Sequence, residues 1–171
     1  FANASIVQFW NEPQFSQYRP TDVAPTVAGL KQVCDLYYRP LALKIGRDRM
    51  AGPSVLPHYE GATWLKMLVD AGFYDPTITR FADYHLYFGA GSSKQQIVDK
   101  VGECDALLPK GIERISSEFG KDVNDTTRND KGEIDYARLG SNYATYATLG
   151  ISPMAHFMGG TMMRFKHTKG I

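Results

Sequence analysis

The feature that most constrains the fold is a set of apolar residues spaced three and four apart between residues 97 and 119. They are Ile97, Val101, Cys104, Leu108, Ile112, Ile115 and Phe119. Residues at this spacing share one face of a helix. A second stripe follows a polar loop and consists of Tyr136, Leu139, Tyr143 and Tyr146. The pattern predicts a helix, a loop and a helix that form the rigid platform of the domain.

Helical spacing also dominates the first half of the chain. The first stripe comprises Val23, Val27, Leu30, Cys34, Tyr37, Leu41 and Ile45, and shorter helices are predicted over residues 62–71 and 76–88. Pro40 and Pro109 each remove a backbone hydrogen bond, so each predicts a kink. No alternating run is long enough to predict a strand. The predicted fold is all-α, with about five helices packed antiparallel, two of them kinked at proline, and extended apolar arms at both ends.

The N-terminal arm, residues 1–20, differs from the predicted helical domain over residues 21–150. It carries two charged residues and five aromatic ones, and it shows no sustained period. The aromatic residues are Phe1, Phe9, Trp10, Phe15 and Tyr18. Such an arm cannot build its own core, yet it is too aromatic to be a solvated tail. It is expected to pack either on its own domain or on a partner.

The C-terminal tail, residues 151–171, is rich in methionine and basic at its end. It holds four of the six methionines. The residues expected to contact a partner are Met154, Phe157, Met158, Met162, Met163, Arg164 and Phe165. Methionine is flexible and polarizable, so it adapts to the irregular surfaces where one protein lies on another. Tail and arm together predict docking by both ends of the chain.

Composition excludes some classes of partner. The chain has 171 residues, with 19 Lys and Arg against 18 Asp and Glu, and a net charge of +1. A nucleic-acid-binding protein usually carries a clustered basic face, so no nucleic-acid partner is expected. No uninterrupted apolar run reaches the eighteen or so residues of a membrane span. The protein is therefore expected to be peripheral to a membrane, without a transmembrane segment.

Metal and thiol chemistry find weak support in the sequence. The polar loop resembles the end of a calcium-binding loop, since Gly132, Ile134 and Asp135 fit its pattern. Lys131 and Arg138, however, stand where oxygen ligands are required, so no metal is expected. Cys34 and Cys104 both lie on apolar stripes, and two buried free thiols are favoured over a disulfide, which the sequence leaves open.

Two histidines suggest pigment or haem binding. His85 and His156 lie among apolar residues, where a neutral imidazole can ligate the metal of haem or chlorophyll. His156 is the preferred ligand because its neighbours are small and flexible. A core or interface histidine is the commoner explanation. No catalytic set of residues is recognisable in the sequence.

These observations favour a non-catalytic protein. The predicted function is a structural linker subunit that docks by its arms on a larger organellar membrane protein complex. A photosynthetic complex at the chloroplast thylakoid is preferred because of the two histidines. No cofactor is expected in that role. The alternative is a small helical protein that binds a pigment, a haem or another ligand in its aromatic interior.

Overall fold

Parallel β-strands form the centre of the molecule. The computed structural model describes residues 5–87, 94–121, 145, 147–153, 156–158 and 161–163. The helices are α1 (Val27–Val33), α2 (Arg39–Ile45), α3 (Ala62–Asp70) and α4 (Lys94–Asp105). The strands are β1 (Val7–Gln8), β2 (Met50–Ala51), β3 (Phe81–Asp83), β4 (Leu86–Tyr87), β5 (Glu113–Ser116), β6 (Phe119–Lys121), β7 (Ser152–Pro153), β8 (His156–Met158) and β9 (Thr161–Met163). The fold is mixed α/β, and the prediction of an all-α fold is wrong.

The strands lie in the sheet in the order in which they occur along the chain. One sheet has the order β1-β2-β3-β5-β7, and every neighbouring pair in it is parallel. A second sheet has the order β4-β6-β8-β9, with only the last pair antiparallel. Since β3, β5 and β7 run directly into β4, β6 and β8, the second sheet continues the first. Sequential parallel order is also the order of the strands in βα-barrels, and crossover connections between parallel strands are right-handed in nearly all proteins.

The two faces of the sheet bury different side chains. The larger core lies between the sheet and the helices and includes Ala82, Tyr84 and Leu86. The opposite face carries a small cluster of Ala51, Phe81 and Ile115, with Ile6 packed against it. Because side chains alternate along a strand, Asp83 and His85 follow Phe81 on this second face. That alternation brings polar groups together above the small cluster.

The helix predicted over residues 76–88 is strand β3 followed by strand β4. Strands of a parallel sheet are buried on both faces and read as nearly continuous apolar runs. In this segment residues 81–86 are all buried. Within such a run of buried residues, apolar positions three and four apart occur by chance. A short buried strand can therefore show the same spacing as one face of a helix.

The long helix predicted over residues 97–119 is correct only in its first half. Ile97, Val101 and Cys104 lie on α4 and are fully buried. The helix ends at Asp105, and Gly111 adopts a positive φ of 94° before β5 begins. Ile115 belongs to β5, where it faces the small cluster. The polar loop and the second stripe, residues 122–144 and 146, lie outside the described residues.

Other local predictions agree better with the structure. Residues 62–70 form α3, and the irregularity expected before Pro40 is a π-helical turn, Cys34–Tyr38, between α1 and α2. Cys34 and Cys104 are free and buried, and burial raises the pKa of the Cys34 thiol to about 11 and that of Cys104 to about 12. Among the described residues, no helix has the length and apolar character needed to span a bilayer.

Candidate active site

Three titratable side chains from distant parts of the chain converge at the carboxyl ends of the parallel strands. Glu12 follows β1, His85 lies between β3 and β4, and Glu118 lies between β5 and β6. One side-chain oxygen or nitrogen atom of each lies within 4.8 Å of those of the other two. The carboxyl edge is where enzymes with this sequential winding carry their active sites. We therefore treat this cluster as the candidate active site.

Glu12 is held in an unusual backbone conformation. Its φ is +41°, a value uncommon for a residue other than glycine. Its backbone N–H donates to Ser54 Oγ at 3.0 Å, and the residue is only 8% exposed. Strained backbone of this kind persists only where surrounding contacts enforce it, and it occurs preferentially at functional sites. The strain aims a buried carboxylate at the centre of the cluster.

His85 lies between the two glutamates. Its Nδ1 atom is 2.6 Å from Glu12 Oε1 and 3.7 Å from Glu118 Oε2. The imidazole is fully buried, whereas the side chain of Glu118 is a quarter exposed. Tyr87 donates a hydrogen bond from its hydroxyl to Glu118 Oε2 at 2.7 Å. The two carboxylates therefore have different surroundings, since one faces an imidazole and the other a phenol.

A second pair of residues supports the other side of the imidazole. The Nε2 atom of His85 is 3.1 Å from Ser117 Oγ. Ser117 in turn donates two hydrogen bonds to Asp83, from its backbone N–H at 2.8 Å and from its hydroxyl at 2.5 Å. Asp83 is fully buried at the end of β3. Its carboxylate links β3 to the two residues that separate β5 from β6.

The protonation of His85 depends on these neighbours. Burial by itself lowers the pKa of the imidazole, but the carboxylates of Asp83 and Glu12, assisted by the charge of Glu118, raise it to about 9. The opposing effects leave a histidine that holds its proton at neutral pH. A protonated imidazole next to Glu12 and Glu118 offsets part of the repulsion between their two negative charges.

This raised pKa predicts a pH-dependent stability. The imidazole of the unfolded chain releases its proton near the ordinary value of 6.5, and that of the folded protein near 9. Stabilisation by His85 is therefore complete below pH 6.5 and is lost as the pH rises to about 9, with a total on the order of 3 kcal/mol. Urea unfolding at several pH values measures this slope. A His85→Gln variant should lose the slope, and a His58→Gln variant should keep it.

Among the described residues, these same three form the one cluster whose side chains could together bind a metal ion. Glu12, His85 and Glu118 offer two carboxylates and one imidazole. Both nitrogens of His85 already face protein groups at hydrogen-bond distance, Nδ1 toward Glu12 and Nε2 toward Ser117. A metal would have to displace the 2.6 Å contact to Glu12. We therefore interpret the cluster as a hydrogen-bonded set of acids and a base.

Aromatic rings lie on the loops beside Glu12. The Phe15 N–H donates to the Glu12 carbonyl at 3.0 Å, and the Phe15 ring lies 4.9 Å from that of Tyr59 and 6.4 Å from that of Tyr18. Tyr18 is 46% exposed and Tyr59 is 53% exposed. Gln14 fastens the two loops together, since its amide donates to the Tyr59 carbonyl at 2.6 Å. We call Phe15, Tyr18 and Tyr59 the aromatic platform.

The residues predicted to bind a partner from the N-terminal arm have several placements. Phe9 and Trp10 pack against the main core, where the rings of Phe9 and Tyr38 meet edge to face with centroids 5.0 Å apart. Trp10 also donates from Nε1 to the Tyr18 carbonyl at 2.8 Å. Phe15 and Tyr18 belong to the aromatic platform. Phe1 lies outside the described residues.

The predicted residues of the C-terminal tail fall on two strands. Phe157 and Met158 lie in β8, and Met162 and Met163 lie in β9, which pairs with β8 antiparallel. Met154, Arg164 and Phe165 lie outside the described residues. His156 begins β8, opposite Phe119 of β6. The partner-binding role of these residues, and the pigment or haem ligation proposed for His85 and His156, stay predictions.

Of the site residues, the sequence pattern indicates only His85. Glu12 is one of two charges in an aromatic arm, and Glu118 lies between Ile115 and Phe119 of the predicted helix. A partial signal is present, because Glu12 and His85 each follow apolar residues by a few positions, at Ile6 and Val7 and at Phe81 and Ala82, whereas the strand before Glu118 has Ile115 as its one apolar residue. A short apolar run ending in a titratable residue is typical of the carboxyl end of a buried parallel strand.

Comparisons with known proteins provide no relative from which a function can be transferred. No protein family model matches the chain, no curated protein matches it, and no solved structure matches it. Function is therefore argued from the geometry of the site.

Proposed function

We propose that the protein is a glycoside hydrolase that retains the configuration of the anomeric carbon, with Glu118 as nucleophile and Glu12 as general acid and base. The observation that carries this proposal is the approach of the two carboxylates to within 4.8 Å at the carboxyl edge of the sheet. Retaining glycosidases hold their carboxyl groups about 5–5.5 Å apart, whereas inverting ones leave about 6.5–9.5 Å for a water molecule. The separation here supports the retaining type.

The surroundings of the two glutamates support their separate roles. Glu118 is the more exposed, and its Oε2 atom accepts a hydrogen bond from the Tyr87 hydroxyl, which holds the carboxylate in place. An accessible, oriented carboxylate suits a nucleophile. Glu12 is buried against His85 Nδ1 at a distance that lets the two share one proton. A carboxylate with a proton at hand suits the general acid.

The first chemical step breaks the glycosidic bond. A Glu118 oxygen attacks the anomeric carbon and forms a covalent ester with the sugar, while the bond from that carbon to the leaving oxygen breaks. Glu12 gives its proton to the leaving oxygen, which departs as an alcohol. Tyr87, which donates to Glu118 in the free protein, helps to orient the attacking carboxylate.

The second step returns the protein to its starting state. Glu12, now ionised, takes a proton from a water molecule, whose oxygen attacks the same carbon as the ester bond to Glu118 breaks. Two successive inversions give net retention. His85 stays beside Glu12 in both steps, and between turnovers it offsets the charge of the two glutamates when the shared proton lies on Nδ1. The small separation of the carboxylates leaves little room for the single displacement by water that inversion requires.

The aromatic platform supports a sugar as the substrate. The apolar faces of sugar rings stack on aromatic side chains, and binding sites combine such surfaces with a few polar groups. Tyr18 and Tyr59 are exposed and lie on loops adjoining Glu12. The turn that presents Tyr59 contains Glu60 with a φ of +52°, which is the other non-glycine residue with positive φ among the described residues. The docking role expected from the terminal arms stays an untested prediction.

Hydrolysis of a panel of nitrophenyl glycosides and plant and algal polysaccharides tests this function. Proton NMR of the reaction with an accepted substrate should show that the first product has the same anomeric configuration as the substrate. EDTA treatment should leave the rate unchanged, because the mechanism uses carboxylates alone. A first product of inverted configuration, absence of hydrolysis across the panel, or a rate lost with EDTA and restored by a divalent metal would contradict the proposal.

A further inference from the structure

Asp83 has no place in the two chemical steps, yet its arrangement is specific. The carboxylate is fully buried, and both of its oxygens accept hydrogen bonds from one residue, Ser117. Its Oδ2 atom lies 3.7 Å from His85 Nε2, beyond hydrogen-bond distance. A buried charge is costly unless hydrogen bonds compensate it. Asp83 therefore contacts the imidazole chiefly through the Ser117 hydroxyl.

The protons available along this chain of contacts determine which nitrogen of the imidazole is protonated. A hydroxyl carries one proton, and Ser117 donates it to Asp83, which as a carboxylate has none to give. The hydroxyl oxygen is then an acceptor for His85, so the Nε2 atom must carry a proton. Nδ1 is left facing Glu12 at 2.6 Å. One further proton lies between them, on either the carboxylate or the nitrogen.

We propose that Asp83, acting through Ser117, is a positioning residue that fixes the Nε2–H form of His85 and so keeps a transferable proton between His85 and Glu12. The chain of groups is Asp83, Ser117, His85 and Glu12. Its catalytic consequence depends on the glycosidase function proposed above, whereas the form of the imidazole does not. His85 then holds the proton that Glu12 needs as an acid and remains next to Glu12 when it acts as a base.

Among the described residues, three charged groups face His85. They are Glu12 from the loop after β1, Asp83 from β3 and Glu118 from the loop after β5. Tyr87 reaches the cluster through its hydrogen bond to Glu118. Glu12 and Glu118 are both on the Nδ1 side, so Asp83 is the charged group that orders the Nε2 side.

Asp83→Asn is the informative substitution because it keeps the shape of the side chain. The amide oxygen can still accept from the Ser117 N–H, but the amide NH₂ now donates to Ser117 Oγ. The Ser117 hydroxyl must then donate to His85 Nε2, and the neutral imidazole carries its proton on Nδ1. With Glu12 ionised, His85 and Glu12 together hold one proton instead of two. The variant should therefore release its acid proton at a lower pH than the original protein.

Nitrogen NMR of the labelled protein tests the imidazole directly and needs no substrate. The His85 signals should show a protonated Nε2 throughout pH 6–8 in the unaltered protein and a protonated Nδ1 with bare Nε2 in Asp83→Asn at pH 8. A neutral imidazole with bare Nε2 in the unaltered protein would overturn the proposal, even if no variant folds. So would an unchanged pattern in the folded Asp83→Asn variant.

The pH dependence of kcat/KM tests the catalytic consequence. The alkaline limb of the profile should move down by one pH unit or more in Asp83→Asn, so that above the limb, at about pH 10, the variant loses about tenfold more activity than at pH 6. Asp48→Asn removes an equal charge from an exposed position and should leave the limb in place. A limb that stays in place in a hydrolytically active Asp83→Asn variant overturns the positioning role and leaves the glycosidase function standing. NMR signals as expected without hydrolysis of any glycoside would contradict only the glycosidase function.

Discussion

Replacing Glu118 with alanine is expected to lower kcat for glycoside hydrolysis at least about 10⁴-fold, because the ester with the sugar cannot form without its oxygen. The cavity left by the carboxylate can admit a small anion. Sodium azide should then attack the anomeric carbon of an activated substrate, forming a carbon–nitrogen bond as the aglycone leaves. The product should be a glycosyl azide of inverted configuration, identified by NMR.

A matched substitution separates this loss from a general effect of removing a glutamate. Glu113 lies in β5, five residues from Glu118, and its exposed side chain pairs with Arg80. Glu113→Ala should keep kcat within about twofold, since exposed ion pairs contribute little. If Glu118→Ala retained a tenth or more of the activity while folded, Glu118 would not be the nucleophile.

Replacing Glu12 with alanine is expected to give a loss that depends on the leaving group. A general acid contributes about 10²–10⁴-fold when the leaving oxygen needs a proton. Oligosaccharides and alkyl glycosides should therefore lose activity by that factor. Dinitrophenyl glycosides, whose leaving group is stable as an anion, should still form the ester with Glu118 at nearly the original rate. A burst of dinitrophenol followed by slow turnover is the expected kinetic trace.

Azide distinguishes the two glutamates further. In Glu12→Ala the ester with Glu118 still forms, so azide should accelerate turnover and give a glycosyl azide of retained configuration. Glu103→Ala, on the exposed face of α4, should match the unaltered protein on every substrate. An equal loss for good and poor leaving groups would contradict the acid role of Glu12, as would an azide product of inverted configuration.

The predictions of α3, of an irregularity before Pro40 and of two buried thiols agree with the structure because each depends on local chemistry. Pro40 disturbs the backbone hydrogen bonds of its own turn wherever the helix lies. Gly72, just beyond α3, has a positive φ of 94° after the helix ends. Such effects are complete within a few residues, so a sequence pattern captures them.

The short strands cannot be predicted from local patterns, for the opposite reason. A two- or three-residue strand such as β1 or β3 has no period of its own, and its stability comes from neighbours 30 or more residues away. Phe81 pairs with Glu113 across the sheet, and Val7 pairs with Met50. When both faces of such a strand are buried, its apolar residues are nearly continuous and can be read as a helical stripe.

The aromatic arm has one property that its local sequence predicts and one that depends on distant strand pairing. Its composition correctly indicated a segment that cannot remain solvated, and Phe9 and Trp10 do pack against the core. The pairing of β1 with β2 determines where the arm packs, and no local sequence pattern predicts that pairing. That pairing also places Glu12 at the carboxyl edge of the sheet, where an apparently incidental charge becomes the centre of the candidate site.

The sequence by itself determined the α-helical propensity of residues 27–45 and 62–70, the start of α4, the apolar character of both ends and the absence of an extended apolar run. Only the tertiary structure decided that Glu12, His85 and Glu118 meet, with Asp83 and Ser117 behind them. The physical reason is that side chains 73 and 106 positions from Glu12 are brought to within a few ångströms by parallel strand pairing. Pairing between distant strands depends on burial of the whole sheet, and the chemistry of the site depends on that pairing.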